Sequence, residues 1–128
     1  MNREKLNSLS KVILDSAIEV HRQLGPGLLE SVYEHCLVKE FKLRNINSMK
    51  QIGIPIIYKG ETLDADYRID ILVENEIIIE LKSVETLMPI HQAQLLTYLK
   101  LADKNLGFLI NFNVPRLVDG FKRMVNNF

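Results

Sequence analysis

One cysteine, Cys36, occurs in 128 residues, so no intramolecular disulfide can form and a reducing, cytoplasmic setting is expected. Cys36 falls at an apolar position of a helical pattern and reads as a buried core thiol. No apolar run approaches the ~20 residues of a membrane helix, and the first residues lack a signal-peptide pattern, so no membrane partner is expected. Formal net charge is zero, which argues against a dedicated basic nucleic-acid binder. Repeats, low-complexity tracts, linkers, zinc-finger spacing and helix-turn-helix signals are all absent. What remains reads as one domain over residues 1–128, 47% hydrophobic and 25% charged, long enough to bury a core without staples.

The charge is unevenly placed. Residues 61–86 carry eight acids, Asp64 among them, against Arg68 and Lys82, a net of −6 that leaves +6 on the remainder. A negative pocket in a more positive frame suits a cation-loaded site that meets a polyanion. One acidic hairpin on a neutral protein gives the same numbers.

The densest signal runs from Tyr67 to Lys82, Y-R-I-D-I-L-V-E-N-E-I-I-I-E-L-K, two apolar β-rich runs about a polar turn. Asp70 interrupts Ile69 and Ile71, and Glu80 ends Ile77-Ile78-Ile79. A buried carboxylate costs several kcal/mol unless it is paired, hydrogen-bonded or on a metal. Side chains alternate along a strand, so Glu80 and Lys82 share a face. A two-residue turn would pair Val73 with Glu76 and turn Asp70 away. A three-residue turn, Glu74-Asn75-Glu76, pairs Val73 with Ile77 and sets Asp70 opposite Glu80. Asn75 tolerates the left-handed conformation that such a bulged turn needs. Ile69, Ile71 and Val73 then line one face, with Leu72 and Asp70 on the other, and both faces are covered.

Around this hairpin the periodicity predicts a helix through Leu9, Val12, Ile13, Ala17, Val20 and Leu24, capped by Asn7 or Ser8 and stopped by Gly25-Pro26-Gly27. A second helix spans about Leu28 to Leu43, its apolar side formed by Leu29, Val32, Tyr33, Cys36, Leu37 and Phe41. Gln51 to Tyr58 reads as a strand, with Pro55 marking an edge or bulge and Lys59-Gly60 a turn. Pro89 opens a third helix reaching about Asp103. Phe108 to Phe112 reads as a buried strand, and the segment from Arg116 onward fits a hairpin arm or a short helix. The order predicts an α/β fold with a mixed central sheet flanked by helices.

Asp70 and Glu80 offer the hard oxygen donors that Mg²⁺ requires, and the Leu81 carbonyl lies between Glu80 and Lys82. Lys82 could orient a water or stabilise charge in a phosphoryl-transfer transition state. A Glu80–Lys82 and Asp70–Arg68 structural network would also account for these residues. Glu30 sits at the margin of the second helix's buried face, where a carboxylate could reach a metal or simply answer the helix dipole. His91, Gln94 and Tyr98 form a polar stripe on the third helix, fit for a phosphate or for solvent. His21 and His35 show no metal-ligand spacing.

G-L-L-E-S-V-Y, Gly27 to Tyr33, preceded by Val20-His21 and Leu24-Gly25-Pro26, resembles the signature of the GxxExxY proteins. Tyr67-Arg68 to Asp70, Glu80-Leu81-Lys82 and Gln94 to Tyr98 follow in that family's order. The family is placed in the PD-(D/E)XK nuclease superfamily, which implies a restriction-endonuclease-like core. The resemblance implies that Asp70, Glu80 and Lys82 are the triad, Glu30 an additional helix acid, and Gln94 and Tyr98 a Q-x-x-x-Y motif like that of the RecB-like branch. Ile69 stands where proline often precedes the first acid. The implied activity is a Mg²⁺-dependent nuclease, Mn²⁺ substituting, acting on nucleic acid and on DNA in particular. Glu30, Asp70, Glu80 and Leu81 would hold the metal, and a homodimer would let so small an enzyme reach both strands. The competing readings are a non-catalytic nuclease-fold module for nucleic acid or protein, and a small-molecule phosphoesterase.

Overall fold

The structure, a computed structural model, describes residues 2–63 and 66–128; Asp64 of the acidic run lies outside them. Helix α1 (Arg3–Leu24) starts earlier than Asn7 or Ser8, because Asn2 is the cap: its Oδ1 accepts from Lys5 N at 2.8 Å. Gly25, at φ 74°, ends it. Helix α2 (Glu30–Leu43) begins two residues after Leu28, with no side-chain cap. Its buried face is narrower than expected, Tyr33, Leu37 and Phe41, since Leu29 is 74% exposed and Val32 is also exposed. Cys36 is half-buried at the edge of the core, not enclosed.

The single strand expected over 51–58 is two strands. β1 (Ser48–Gly53) ends where Ile54 N turns to donate to Tyr67 O at 2.8 Å and Pro55 offers no donor. β2 (Ile56–Tyr58) and β3 (Glu61–Leu63) then form a separate hairpin about Lys59 and Gly60, both at positive φ. β4 (Arg68–Val73), β5 (Ile77–Lys82), α3 (Pro89–Leu101) and β6 (Leu106–Asn111) follow. The ambiguous end contains both readings: a 3₁₀ turn at Leu117–Gly120, then β7 (Phe121–Val125) as an edge strand.

The main sheet runs β1-β4-β5-β6-β7, antiparallel except for β5 and β6, whose parallel pairing uses α3 as the crossover. α1 and α2 cover one face with Ile71, Val73, Ile77, Ile79, Leu81, Phe108 and Ile110 beneath them. α3 covers the other, Leu95 and Leu99 packing on Ile78 and Leu109. Gly107 permits that approach, since a Cβ there would lie 3.1 Å from both Ile78 O and Leu95 Cδ1. This is the expected α/β architecture, a mixed sheet between helices. β5, which carries Glu80 and Lys82, is its middle strand.

The β4–β5 turn is three residues, and Val73 pairs with Ile77. Glu76 N donates to Val73 O at 2.9 Å, and Glu74 joins Asn75 at positive φ (50° and 56°). Glu74 is fixed there by Asn47, which accepts from its N–H and donates its own N–H to its carboxylate, each at 2.9 Å.

Candidate functional site

The ladder between β4 and β5 pairs Ile71 with Ile79, and one step further Asp70 faces Glu80. There the main-chain bonds give way to side chains. Residues of β5 with odd numbers point their N–H groups toward β4, so a regular ladder would bond Leu81 N to Ile69 O. Instead Leu81 N donates to Asp70 Oδ2 at 2.8 Å, and Asp70 N donates to Glu80 Oε1 at 3.4 Å. β4 bends at this residue. Ile69 consequently packs with Leu72 and Ile78 under α3, not with Ile71 as alternation predicted. Across the other ladder the residue opposite Asp70 is Gln51, held at φ 56° inside β1.

Asp70 and Leu81 line a hollow of about 200 Å³ together with Glu30, Ser31, Glu34 and Gln51. Glu30 is the first residue of α2 and reaches this hollow because of the chain before it. Gly27 turns at φ 93°, and the buried Tyr33 pins the loop: its hydroxyl donates to Gly25 O at 2.6 Å and accepts from Leu28 N at 3.1 Å. The Tyr33 ring stacks on Phe112 at 4.3 Å. Ser83, just past β5, donates to Leu28 O at 2.6 Å and ties the loop to the strand that carries Glu80. Glycine, acid and tyrosine at this spacing are thus a turn, the carboxylate it presents and the clamp that fixes it.

Glu80 does not line the hollow. It lies behind Asp70, 6% exposed, on the α3 side with Ile78. Burial, then the Asp70 charge and a side-chain hydrogen bond with Asp70, push its carboxyl up to about 9, against weaker pulls from the Asp70 N–H and the Lys82 charge. Lys82 is half-exposed at the end of the same strand. Tyr98 is buried on α3, and burial followed by the charges of Glu80, Tyr67 and Asp70 raises its phenol above the ordinary range. Gln94, one turn earlier, lines a groove beside Tyr98. His91 is not part of that stripe's chemistry: its Nδ1 accepts from Met88 N at 3.0 Å and caps α3. Arg68 pairs with Asp66 at 2.9 Å, so the Asp70–Arg68 bridge considered from the sequence is not made.

With this geometry in hand, comparison with protein families gives a match to the PD-(D/E)XK nuclease superfamily over residues 7–124. The chain belongs to the PD-(D/E)XK nuclease superfamily. Its mixed sheet and flanking helices are the restriction-endonuclease-like fold of that superfamily. Comparisons with curated proteins and with solved structures returned no match.

PD-(D/E)XK nucleases generally use divalent metal ions and act on nucleic acid. The donor chemistry here fits such an ion. Glu80 accepts from the Asp70 N–H and shares a side-chain hydrogen bond with Asp70, and Glu30, Asp70 and Leu81 line one hollow. All are hard oxygen donors, which suit Mg²⁺ or Mn²⁺ and not a thiolate-seeking metal. Among the described residues, no three His, Cys, Asp or Glu side chains are gathered as a ready-made cation cluster. A cation here would therefore draw on the Leu81 carbonyl, water or substrate for part of its shell, which is usual for Mg²⁺.

Two residues of consequence escaped the sequence reading. Asn111 is 2% exposed; its amide donates to Val84 O at 2.9 Å, and its carbonyl accepts from Val84 N and Asn113 N. It fixes the chain leaving Lys82, and Gly120 must lack a Cβ to pass its main-chain oxygen. The signal was an amide inside the apolar run Phe108 to Phe112. Gln51 is the other: its Nε2 donates to Glu34 Oε1 at 2.8 Å on the wall opposite Asp70. Nothing in its local sequence marks it. No described helix is long and apolar enough to cross a membrane.

Proposed function

We propose that the chain is a single-domain nuclease dependent on Mg²⁺, with Mn²⁺ as substitute, that hydrolyses phosphodiester bonds in DNA. The observation that carries this is the break in the central sheet at Asp70, where two carboxylates meet at the end of the strand bearing Lys82. A purely structural hairpin would have continued its ladder there. Glu30, Asp70, Glu80 and the Leu81 carbonyl would hold the ion. When bound, it would supply charge stabilisation at the phosphoryl oxygens and acidify the attacking water. Lys82 stabilises charge that builds on the phosphoryl group in the transition state. Tyr98, kept protonated by its raised pKa, remains a hydroxyl donor to a phosphate oxygen, with the Gln94 amide one turn away. The Gly27-Glu30-Tyr33 arrangement supports the finer placement among GxxExxY proteins, and Gln94 with Tyr98 the likeness to the RecB-like branch. A cytoplasmic location accords with the lone Cys36, and a homodimer with the need to reach both strands.

A second reading is a nuclease-fold module without turnover, binding nucleic acid or protein. It draws on the lack of a preassembled three-acid cluster among the described residues. Plasmid and single-stranded DNA incubated with wild type and Asp70→Asn, in Mg²⁺ and in Mn²⁺, separate the two. Metal-dependent cleavage that the variant loses supports the enzyme; intact substrate under every condition gives the second reading its place.

A further inference from the structure

On the α3 side, the side on which Glu80 is buried, a groove of about 500 Å³ opens. Ile56 of β2, Tyr67, and Ile90, Ala93 and Leu101 of α3 form its walls, with Gln94 and Tyr98 on the same helix. Tyr67 is 47% exposed and meets the Tyr98 ring edge-on at 6.4 Å and 63°. Among the described residues no Lys, Arg, His, Asp or Glu lines the groove. A wall of that composition offers a phosphate backbone no ionic partner, only the Gln94 amide and the hydroxyls at its margin. It suits a flat π-face, as a nucleobase presents, stacked on an aromatic ring between aliphatic side chains. The groove also comes close to the acids through Tyr98, whose phenol feels the charges of Glu80 and Asp70. Tyr98 lines it and packs in the same cluster as Ile78, two residues before Glu80 on β5.

Resting on the nuclease reading above, we propose that this groove receives an unpaired base of the substrate strand, stacked on Tyr67, while Gln94 and Tyr98 hold that nucleotide's phosphate. The substrate class is then single-stranded or frayed nucleic acid. A base within a duplex is stacked on both faces and cannot enter without being unpaired first. Stacking is indifferent to base identity, so sequence preference is weak.

The test is anisotropy of a labelled single-stranded oligonucleotide and of the same sequence as a blunt duplex, in Ca²⁺, with cleavage of both followed separately in Mg²⁺. Wild type should bind the single strand more tightly. Tyr67→Ala should weaken that binding roughly 5- to 150-fold, the scale of one lost base stack, while Tyr67→Phe keeps it. Ala93→Trp, at an exposed position of α3, fills the groove and guards against a folding artefact at Tyr67. An abasic residue placed in turn along the oligonucleotide should reproduce the loss at one position for wild type and add nothing to Tyr67→Ala. If the duplex binds as well as the single strand, if no oligonucleotide binds, or if both folded variants bind like wild type, the groove has another use. Cleavage by wild type with neither variant altering strand preference overturns this inference and leaves the nuclease standing. Groove-dependent binding without cleavage does the reverse.

Discussion

Replacing Glu80 by glutamine should make the metal-free protein more stable, and the gain should depend on pH. Burial and the neighbouring Asp70 hold the Glu80 carboxyl protonated up to about 9, against an ordinary value of 4.5. Between those values the folded protein keeps a proton that the unfolded chain has released, so stability falls as pH rises. The benefit is complete below pH 4.5 and is lost progressively up to about pH 9. Each pH unit in that window corresponds to about 1.4 kcal/mol, so the loss by pH 7 is about 3 kcal/mol. Glutamine keeps the shape, still accepts from Asp70 N, and offers Asp70 an N–H where the protonated acid offers an O–H. It cannot ionise. Urea unfolding in EDTA at pH 4.5, 7 and 9 should show the two proteins within ~0.5 kcal/mol at the acid end. At pH 7 the variant should lead by up to about 3 kcal/mol, with m unchanged. Addition of Mg²⁺ should then stabilise wild type and not the variant. Parallel stability curves across this range would refute the argument, and a variant several kcal/mol weaker at pH 7 would make the carboxylates a structural network.

Lys82→Ala should leave Mg²⁺ and DNA affinity within about tenfold while cleavage falls roughly 10²-fold, the scale of one lost electrostatic stabiliser; a shallower salt dependence of binding with unchanged cleavage would instead make it a phosphate anchor. Metal binding at pH 7 should release about one proton, because Glu80 must ionise to ligate, and affinity should climb toward pH 9. Calorimetry in two buffers of different ionisation enthalpy counts that proton, and a count of zero excludes Glu80 as a ligand. Tyr33→Phe strips partners from Gly25 O and Leu28 N, costing about 1–3 kcal/mol in denaturant melts. Metal affinity should fall with it as the Glu30 loop loosens; unchanged affinity would sever Glu30 from the ion.

The architecture was legible because the elements around the site obey their own periodicities. Parity, with the requirement that Asp70 lie opposite Glu80, set the β4–β5 turn at three residues, and Val73 does pair with Ile77. The failures have physical causes. Leu29 and Val32 keep the helical spacing of a buried face, yet Leu29 stands at the N-cap position of α2 and both side chains are exposed. Ile69 obeys strand alternation in sequence and violates it in space, because the backbone turns at Asp70 to bring its amide to Glu80. No local pattern encodes that turn. Its cause lies in two residues ten apart in the chain and in Gln51 on a third strand. Of the candidate site, Asp70, Glu80 and Glu30 stand out in the sequence as acids at the margins of apolar runs, while the unequal surroundings of the two strand acids do not.

That inequality carries the chemistry. Two carboxylates in contact cannot both ionise cheaply, and burial decides which one gives way. Asp70 opens onto the hollow and takes the Leu81 N–H; Glu80, under α3, keeps the proton. The metal-free site is thereby stabilised without an ion, and the sheet tolerates a carboxyl in its middle strand. Ion binding at Glu80 must then proceed as an exchange, cation for proton, with the Lys82 charge beside it easing ionisation, a weaker influence on that carboxyl than burial or Asp70. Removing the Lys82 charge should therefore shift the pH of half-maximal metal binding upward, since Glu80 would surrender its proton less readily. The direct repulsion between ammonium and cation acts the other way and lifts affinity at high pH, where no proton remains to be displaced. A Lys82→Ala profile that moves to higher pH yet plateaus at equal or greater affinity would show both effects in one protein. A profile displaced uniformly downward at every pH would instead mean that Lys82 helps to build the ion site, and that the division of labour between the two acids is wrong.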